Sequence, residues 1–204
     1  TFSPENADYV QALYYLHGIL NPLVNQTRHR DDFGFGTGAG SQLAAVTLAD
    51  YTESLRTDGQ PPYILMEDIS DCFPSCLTDQ VEHLLSIVAP RTARYIRSVH
   101  HHYQVLSYRG TPQGHPGATT VVALALVPVY KRIRQMLPPK ARLLTYIDDL
   151  AIITPHNESI SQIKGIVRDQ LGRVHMALND AKSHAYTHTS PHIDYMGFRL
   201  SVNP

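Results

Sequence analysis

Three aspartates carry the strongest chemical signal in this sequence of 204 residues. Asp68 stands just after an apolar run that begins at Tyr63, and Asp148 with Asp149 separates two further apolar runs. Asp is disfavoured within strands and adjacent carboxylates repel each other, so this arrangement indicates a bound cation. Hard oxygen ligands suit Mg²⁺ or Mn²⁺, and two such ions can stabilise both oxygens of a phosphoryl transfer. Taken alone, Asp148 and Asp149 are more simply explained as a hairpin turn.

Five short motifs in a fixed order give these aspartates a context. They are Asp68–Ser75, Gly110–Gly114, Tyr146–Asp149, Leu178–Lys182 and Tyr195–Gly197. Each motif is weak by itself, but chance is a poor explanation for all five in this order with ordinary spacings. Through them the chain resembles the reverse transcriptase family over about residues 8 to 200. The resemblance is closest to the group II intron, retron and telomerase-like branch.

The resemblance implies a catalytic set. Asp68 and Asp148 would be the principal ligands of Mg²⁺ or Mn²⁺, with Asp149 as a further carboxylate of the site. Lys182 would protonate the pyrophosphate leaving group as a general acid, although a lone lysine can equally be a solvated surface charge.

The resemblance also implies substrate contacts. Phe73 would be a steric gate that collides with a ribose 2′-hydroxyl, and Tyr146 would pack against the primer end. Gln113 and Gly114 would shape the pocket around the nascent base pair, and Tyr195 begins the motif that matches the primer-grip hairpin. The alternative for Phe73 and Tyr146 is an ordinary structural role as buried or strand aromatic residues.

Several features depart from the family pattern. Ala118-Thr119 replaces the usual Ser-Pro, and the stretch Gly34–Ser41 has no basic residue. The basic strand pair that grips the triphosphate in relatives is also missing, which leaves Arg28, Arg30 and Arg56 as candidates. We therefore expect a palm at residues 61–204, a partial fingers region at residues 1–60, and no thumb before the chain stops.

Basic residues are concentrated in the second half of the chain. Residues 1–100 contain six Arg, no Lys and twelve acidic residues, whereas residues 101–204 contain eleven basic and six acidic residues. A polyanion-binding face should therefore lie mainly in the second half, although a pI of about 6.8 argues against tight unaided binding. The candidate phosphate contacts are Arg91, Arg94, Arg97, Lys131, Arg132, Arg134, Lys140 and Arg142, with a solvated surface as the alternative.

Composition excludes several classes of protein. With 43% apolar and 17% charged residues, the chain is typical of one globular domain and not of a disordered segment. No apolar run approaches the roughly 18 residues that span a bilayer, and no targeting peptide is visible, so we expect an intracellular protein without a membrane partner. The only two cysteines, Cys72 and Cys76, are expected to be reduced, buried thiols.

Hydrophobic periodicity predicts an α+β fold. The predicted helices cover residues 6–25 with a break near Pro22, 42–55 with Ser41 as N-cap, 78–88, a fourth segment carrying Arg91, Arg94 and Arg97, 118–136 with a kink at Pro128, and 159–171. The predicted strands cover residues 63–66, 103–109, 143–146, 150–154, 183–187 and 195–200. Strands 143–146 and 150–154 should form a hairpin with the two aspartates at its turn.

Two hypotheses of different classes remain. The first is a reverse transcriptase palm that performs RNA-directed DNA synthesis with Mg²⁺ or Mn²⁺, which the intact aspartates favour. The second is a derived module that no longer polymerises and binds RNA or protein within a ribonucleoprotein, such as a mitochondrial ribosome or a spliceosomal scaffold. The missing triphosphate grip and the near-neutral charge favour the second. In both hypotheses RNA is the expected partner.

Overall fold

The computed structural model describes residues 7–35, 38–76, 79–88, 90, 91, 93, 94, 97, 98, 110, 111, 114, 117–157 and 159–201. The helices are Ala7–Thr27 (α1), Ser41–Thr57 (α2), Cys72–Ser75 (α3), Asp79–Val88 (α4), Ala118–Met136 (α5) and Ser159–Gly172 (α6). The strands are Tyr63–Ser70 (β1), Arg142–Tyr146 (β2), Asp149–Thr154 (β3), Ala177–Leu178 (β4), His184–Tyr186 (β5), His192–Tyr195 (β6) and Phe198–Ser201 (β7). A 3₁₀ turn covers Asp180–Lys182. The α+β class is confirmed.

The central sheet is antiparallel and has β1 in its interior. Its strand order is β2-β3-β1-β4, and β5 pairs with the first half of β1 on the same side as β4. Strands β6 and β7 form a separate two-stranded hairpin. The β2–β3 hairpin is the one expected from the sequence, and its register places Asp149 directly opposite Asp68 of β1.

Both faces of the sheet are covered, which explains why β1 is buried along almost its whole length. Leu65 and Ile69 face the core formed with α5 and α6, while Ile64 and Met66 face the core formed with α2 and β6. Side chains alternate along a strand, so Asp68 belongs to the second face and Glu67 to the first. The two acidic neighbours therefore point to opposite sides of the sheet.

Two prolines lie inside helices. The break expected near Pro22 does not occur, because α1 continues to Thr27 with Leu20 and Val24 fully buried on either side. Pro128 lies within α5, which continues to Met136. Both prolines are exposed, so the lost backbone hydrogen bond falls on the solvent side of each helix while packing on the other side maintains it.

Three local predictions are corrected. Gly40 and not Ser41 is the N-cap of α2, and Ser41 is the first helical residue. Strand β1 continues to Ser70, so Asp68 lies within the strand, where β3 pairs with it and compensates for its poor strand preference. Residues 195–200 are not one strand, because Met196 and Gly197 both have positive φ and turn the chain between β6 and β7.

Some predictions lie outside the described residues. These are strand 103–109, Gln113 and the greater part of the fourth helix, although every described residue between 90 and 98 is helical. Cys72 and Cys76 are free and buried, as expected. Within the described ranges, no helix combines the length and the apolar character that a bilayer span requires.

Candidate active site

The three aspartates meet at one end of the central sheet. Asp68 and Asp149 are direct cross-strand partners, so their side chains leave the same face of the sheet only about 5 Å apart at Cβ. Asp148 follows Ile147 in the β2–β3 turn, and its carbonyl oxygen accepts a hydrogen bond of 3.1 Å from the amide of Ile69. The hairpin thus brings residues 80 positions apart in sequence to one site.

A cleft of about 240 Å³ opens on this face, between the sheet and the β6–β7 hairpin. The residues that line it include Asp68, Asp149, Lys182, His184, Tyr195 and Met196. Lys182 donates a hydrogen bond of 3.1 Å from Nζ to Oδ1 of Asp68, and Asn179 donates one of 3.3 Å to Oδ2. The motif with Lys182 is therefore in direct contact with the motif that contains Asp68.

The electrostatics of the site favour added positive charge. Burial, and after it the nearby charges of Asp148 and Asp68, raise the pKa of Asp149 to about 6. Burial and the charge of Asp68 also raise the pKa of Asp148. The hydrogen bond to Asp68 raises the pKa of Lys182. Burial is the main cause of the two aspartate shifts, and the proximity of like charges adds to it.

The donor set fits a hard divalent cation. In the part of the chain that the structure describes, no three His, Cys, Asp or Glu side chains converge tightly enough to hold a metal ion as they stand. Asp68, Asp148 and Asp149 nevertheless supply only hard oxygen donors, and a cation would stabilise the ionised forms of Asp148 and Asp149, which burial and the neighbouring carboxylates disfavour. These three residues would hold Mg²⁺ or Mn²⁺.

The turn that carries Asp148 is strained and tightly held. Ile147 has φ of 56°, which a β-branched residue rarely adopts. The buried hydroxyl of Tyr130 donates a hydrogen bond of 2.6 Å to the carbonyl oxygen of Ile147. On the other side Gly34 approaches so closely that a Cβ there would lie 2.2 Å from the Ile147 amide nitrogen. Residues from α5 and from the segment before α2 therefore fix the turn.

Comparison with known proteins identifies the arrangement. The family model for reverse transcriptase (RNA-dependent DNA polymerase) matches residues 11–200, nearly the whole chain. This chain belongs to the reverse transcriptase family. No curated protein sequence matches it. The resemblance to the reverse transcriptase family that the sequence suggested is confirmed.

Solved telomerase structures share the fold of this reverse transcriptase domain. The apo telomerase from Candida tropicalis superposes with a TM-score of 0.69 at 11% identity, covering 95% of this chain and 39% of that one. A C. tropicalis form truncated from the C-terminal domain gives 0.65 at 12% identity, covering 94% of this chain and 44% of that one. Telomerase from Candida albicans with a TWJ fragment of telomeric RNA gives 0.62 at 14%, covering 96% and 36%. The chain thus spans less than half of these structures.

Two other predicted substrate residues, Phe73 and Tyr146, lie near the same end of the sheet, just after β1 and at the end of β2. Phe73 lies in α3, half-buried against the main core, and its carbonyl oxygen accepts a hydrogen bond of 2.9 Å from Thr111. Gly110 lies so close that a Cβ there would be 2.0 Å from the Pro74 carbonyl oxygen. Gly114 is exposed, and Tyr146 packs on the second core at the end of β2. The motif Gly110–Gly114 therefore contacts the motif Asp68–Ser75 through α3.

Two of the predicted phosphate contacts form ion pairs with buried aspartates. Arg142 donates two hydrogen bonds, of 2.9 and 2.6 Å, to the buried carboxylate of Asp31. Arg134 pairs with the fully buried Asp32, which also accepts a hydrogen bond of 2.8 Å from Thr145. Because buried carboxylates engage both guanidinium groups, their removal would leave an uncompensated charge inside the protein.

Sequence reasoning did not predict that Asp31 and Asp32 are buried and form ion pairs with Arg142 and Arg134. Burial alone would raise the pKa of Asp31, but the hydrogen bonds and charge of Arg142 outweigh it and lower the pKa. The segment is bonded to the edge of β2 through backbone hydrogen bonds between Asp31, Phe33 and Thr145, and it leads directly to Gly34. The one feature of the sequence that could have indicated these pairs is the run of two adjacent acidic residues followed by Phe33-Gly34.

The remaining phosphate candidates divide into two groups. Arg97 lies 2.9 Å from Glu82 in an ion pair. The side chains of Arg91, Arg94, Lys131, Arg132 and Lys140 are exposed. Lys131 and Arg132 are neighbours in α5, and all five residues stay candidates for contacts with a nucleic-acid backbone.

Proposed function

We propose that this domain adds deoxynucleotides to the 3′ end of a primer along an RNA template. One observation carries the proposal: Asp68 and Asp149 face the same cleft from paired strands, with Asp148 at the adjoining turn and Lys182 on Asp68. Membership of the reverse transcriptase family supports it. We further propose that residues 61–204 are the palm and residues 1–60 part of the fingers.

The reaction assigns a task to each residue of the cleft. The primer 3′-oxygen loses its proton and bonds to the α-phosphorus of the deoxynucleoside triphosphate, while the bond from that phosphorus to the bridging oxygen breaks. Pyrophosphate leaves, and Lys182 supplies the proton that it takes up. Phe73 would exclude a 2′-hydroxyl, and Tyr146 would support the primer end from β2.

The carboxylates define where a divalent cation belongs. Asp68 and Asp148 would be its main ligands, and Asp149 would complete the acidic site. When bound, Mg²⁺ or Mn²⁺ neutralises charge on the triphosphate and favours the ionised primer hydroxyl. Lys182 reaches the cleft from the opposite side of β1 to the β2–β3 turn, so it can act at the leaving group while the aspartates act at the attacking oxygen.

A primer-extension assay tests the proposal. The intact protein is given an RNA template, a DNA primer, dNTPs and Mg²⁺, and it is compared with Asp148→Ala and with Asp50→Ala, which removes an exposed aspartate from α2. We expect incorporation to fall at least 100-fold in Asp148→Ala and to stay unchanged in Asp50→Ala, because only the first removes a group aimed at the reacting atoms. Equal background incorporation by all three would overturn it.

That negative result would favour the second candidate, an RNA- or protein-binding module of a ribonucleoprotein such as a mitochondrial ribosome. The observation in its favour is that the described residues balance Asp68 with Lys182 and the buried Asp31 and Asp32 with arginines, so the fold is electrostatically satisfied around them. The C. albicans telomerase structure holds telomeric RNA, which supports RNA as the partner in either case.

A further inference from the structure

Beside the active-site strand lies a buried acid that the proposed mechanism does not use. Glu67 precedes Asp68 in β1, and its side chain is completely buried on the face toward α6. Its Oε2 has no hydrogen-bond partner among the residues that the structure describes. Burying a carboxylate costs several kcal/mol unless its partners are well placed. A residue this costly, next to a catalytic aspartate, calls for a specific role.

The partners of Glu67 link it to the Lys182 segment. Ser183 donates a hydrogen bond of 3.0 Å from Oγ to Oε1 of Glu67. Lys164 of α6 lies 3.3 Å from the same oxygen and donates a hydrogen bond of 2.7 Å to Oγ of Ser183. One buried carboxylate, one lysine and one hydroxyl thus form a closed triangle at the residue that follows Lys182.

The same lysine holds the other end of the turn. Nζ of Lys164 lies 3.0 Å from Oδ1 of Asp180, the first residue of the 3₁₀ turn Asp180–Lys182. Just before the turn, the amide of Asn179 donates a hydrogen bond of 2.8 Å to the carbonyl oxygen of Asp68. Both ends of the turn are therefore bound, while the Lys182 side chain itself is 64% exposed.

We propose that Lys164, Glu67 and Ser183 are positioning residues that hold the turn so that the Lys182 ammonium group stays at Asp68. This inference rests on the proposed function, because it assigns these residues to the reaction through Lys182. The long side chain of Lys182 has many rotamers in water, and only a fixed backbone keeps its Nζ within reach of the leaving group. Lys164 connects the helix layer behind the sheet to the cleft in front of it.

Steady-state kinetics of the intact protein test the inference. Lys164→Met should lower kcat about tenfold, because a general acid that is held loosely loses part of its contribution, while KM for the dNTP should stay within about twofold. Glu67→Gln should act in the same direction, and Lys164→Arg should recover part of the loss. A merely structural defect would instead reduce the active fraction without recovery in Lys164→Arg.

Two further variants sharpen the test. In a Lys182→Ala background, Lys164→Met should cause no additional loss, because the group through which it acts is absent. Arg173→Met is the matched control: it removes an exposed cation just after the same helix, whose ion pair is with Asp169 of α6 and not with the turn, and it should leave kcat unchanged within about twofold. Unchanged kcat in Lys164→Met, or full additivity with Lys182→Ala, would overturn the inference.

Hydrogen exchange separates this inference from the proposed function. Lys164→Met should speed exchange of the backbone amides of residues 179–183 severalfold, whereas Arg173→Met should not. Ser183→Ala is a milder variant for the case that Lys164→Met does not fold, and it should also speed this exchange. If the wild-type protein makes no DNA, the proposed function fails while the exchange result still decides whether the triangle holds the turn. Equal exchange in all variants would refute it.

Discussion

At the scale of single residues, the site is built from groups placed against their own electrostatic preference. Asp68, Asp148 and Asp149 share one sheet end, and Lys182 is the cation in contact with Asp68. Nothing in the fold requires three carboxylates at this end of the sheet, because their burial and mutual repulsion destabilise it. The residues therefore lower the stability of the free protein in exchange for a site that attracts positive charge.

Asp149→Asn should make this effect measurable. Its pKa of about 6 lies above the ordinary 3.8, so the folded chain binds the proton more tightly than the unfolded chain does. The stability that the protonated group contributes is complete below about pH 4 and is lost as pH rises through 6. Without divalent cations, Asp149→Asn should therefore raise the free energy of unfolding at pH 7 by about 1–2 kcal/mol after solvent screening, and change it little at pH 4.

Urea unfolding in EDTA at both pH values measures this difference, with Asp50→Asn as the exposed control. Added Mg²⁺ should reduce the advantage of Asp149→Asn, because the cation stabilises only the wild-type carboxylate. A loss of stability at pH 7 in Asp149→Asn would show that Asp149 is a satisfied structural carboxylate.

At the scale of elements, the β2–β3 turn depends on contacts that converge on it from distant parts of the chain. The hydroxyl of Tyr130 in α5 donates a hydrogen bond to the carbonyl oxygen of the strained Ile147. Gly34 packs against the amide of Ile147. The Asp31-Arg142 pair fixes the segment that leads to Gly34. Removal of one contact should therefore act on the position of Asp148 more than on the fold.

Gly34→Ala tests this convergence. The new Cβ would lie 2.2 Å from a backbone nitrogen, so either the turn or the segment around residue 34 must move. We expect a destabilisation of about 1–3 kcal/mol and a larger loss of DNA synthesis than the unfolded fraction explains. Gly165→Ala on α6 is the control, because a Cβ meets open space there and should stabilise the helix by up to about 1 kcal/mol. Thermal unfolding measures the stability of both variants, and primer extension measures their DNA synthesis. Equal stability and equal DNA synthesis in Gly34→Ala and Gly165→Ala would contradict the prediction.

Elements with a clear periodicity of apolar residues could be predicted from the sequence. Features that depend on contacts between distant parts of the chain could not. Helix α5 and the β2–β3 hairpin follow from apolar spacing within one window. The end of β1 was misplaced because pairing with β3 keeps Asp68 in the strand against its preference. The Asp31-Arg142 and Asp32-Arg134 pairs join residues more than a hundred positions apart, and no local pattern encodes them.

At the scale of the whole molecule, the near-zero net charge conceals a division that should govern RNA binding. The second half of the sequence is basic, but its Arg134 and Arg142 are paired with buried aspartates. In the first half, Arg97 is paired with Glu82. Phosphate binding therefore depends on a smaller set of exposed side chains than the sequence count suggests. Among these, Lys131 and Arg132 are adjacent on α5.

Replacing both Lys131 and Arg132 by Ala should weaken RNA binding mainly through its electrostatic part. Each phosphate contact adds roughly 0.7–0.9 to the slope of log affinity against log salt, so the loss of two contacts should lower the slope by about 1.4–1.8. Fluorescence anisotropy with a labelled single-stranded RNA, titrated at several salt concentrations, measures this slope. Arg173→Ala, which removes an exposed arginine paired with Asp169, is the control and should leave the slope unchanged. An unchanged slope in the double variant would assign Lys131 and Arg132 to the solvated surface, and the RNA path would then have to follow Arg91, Arg94 or Lys140 instead.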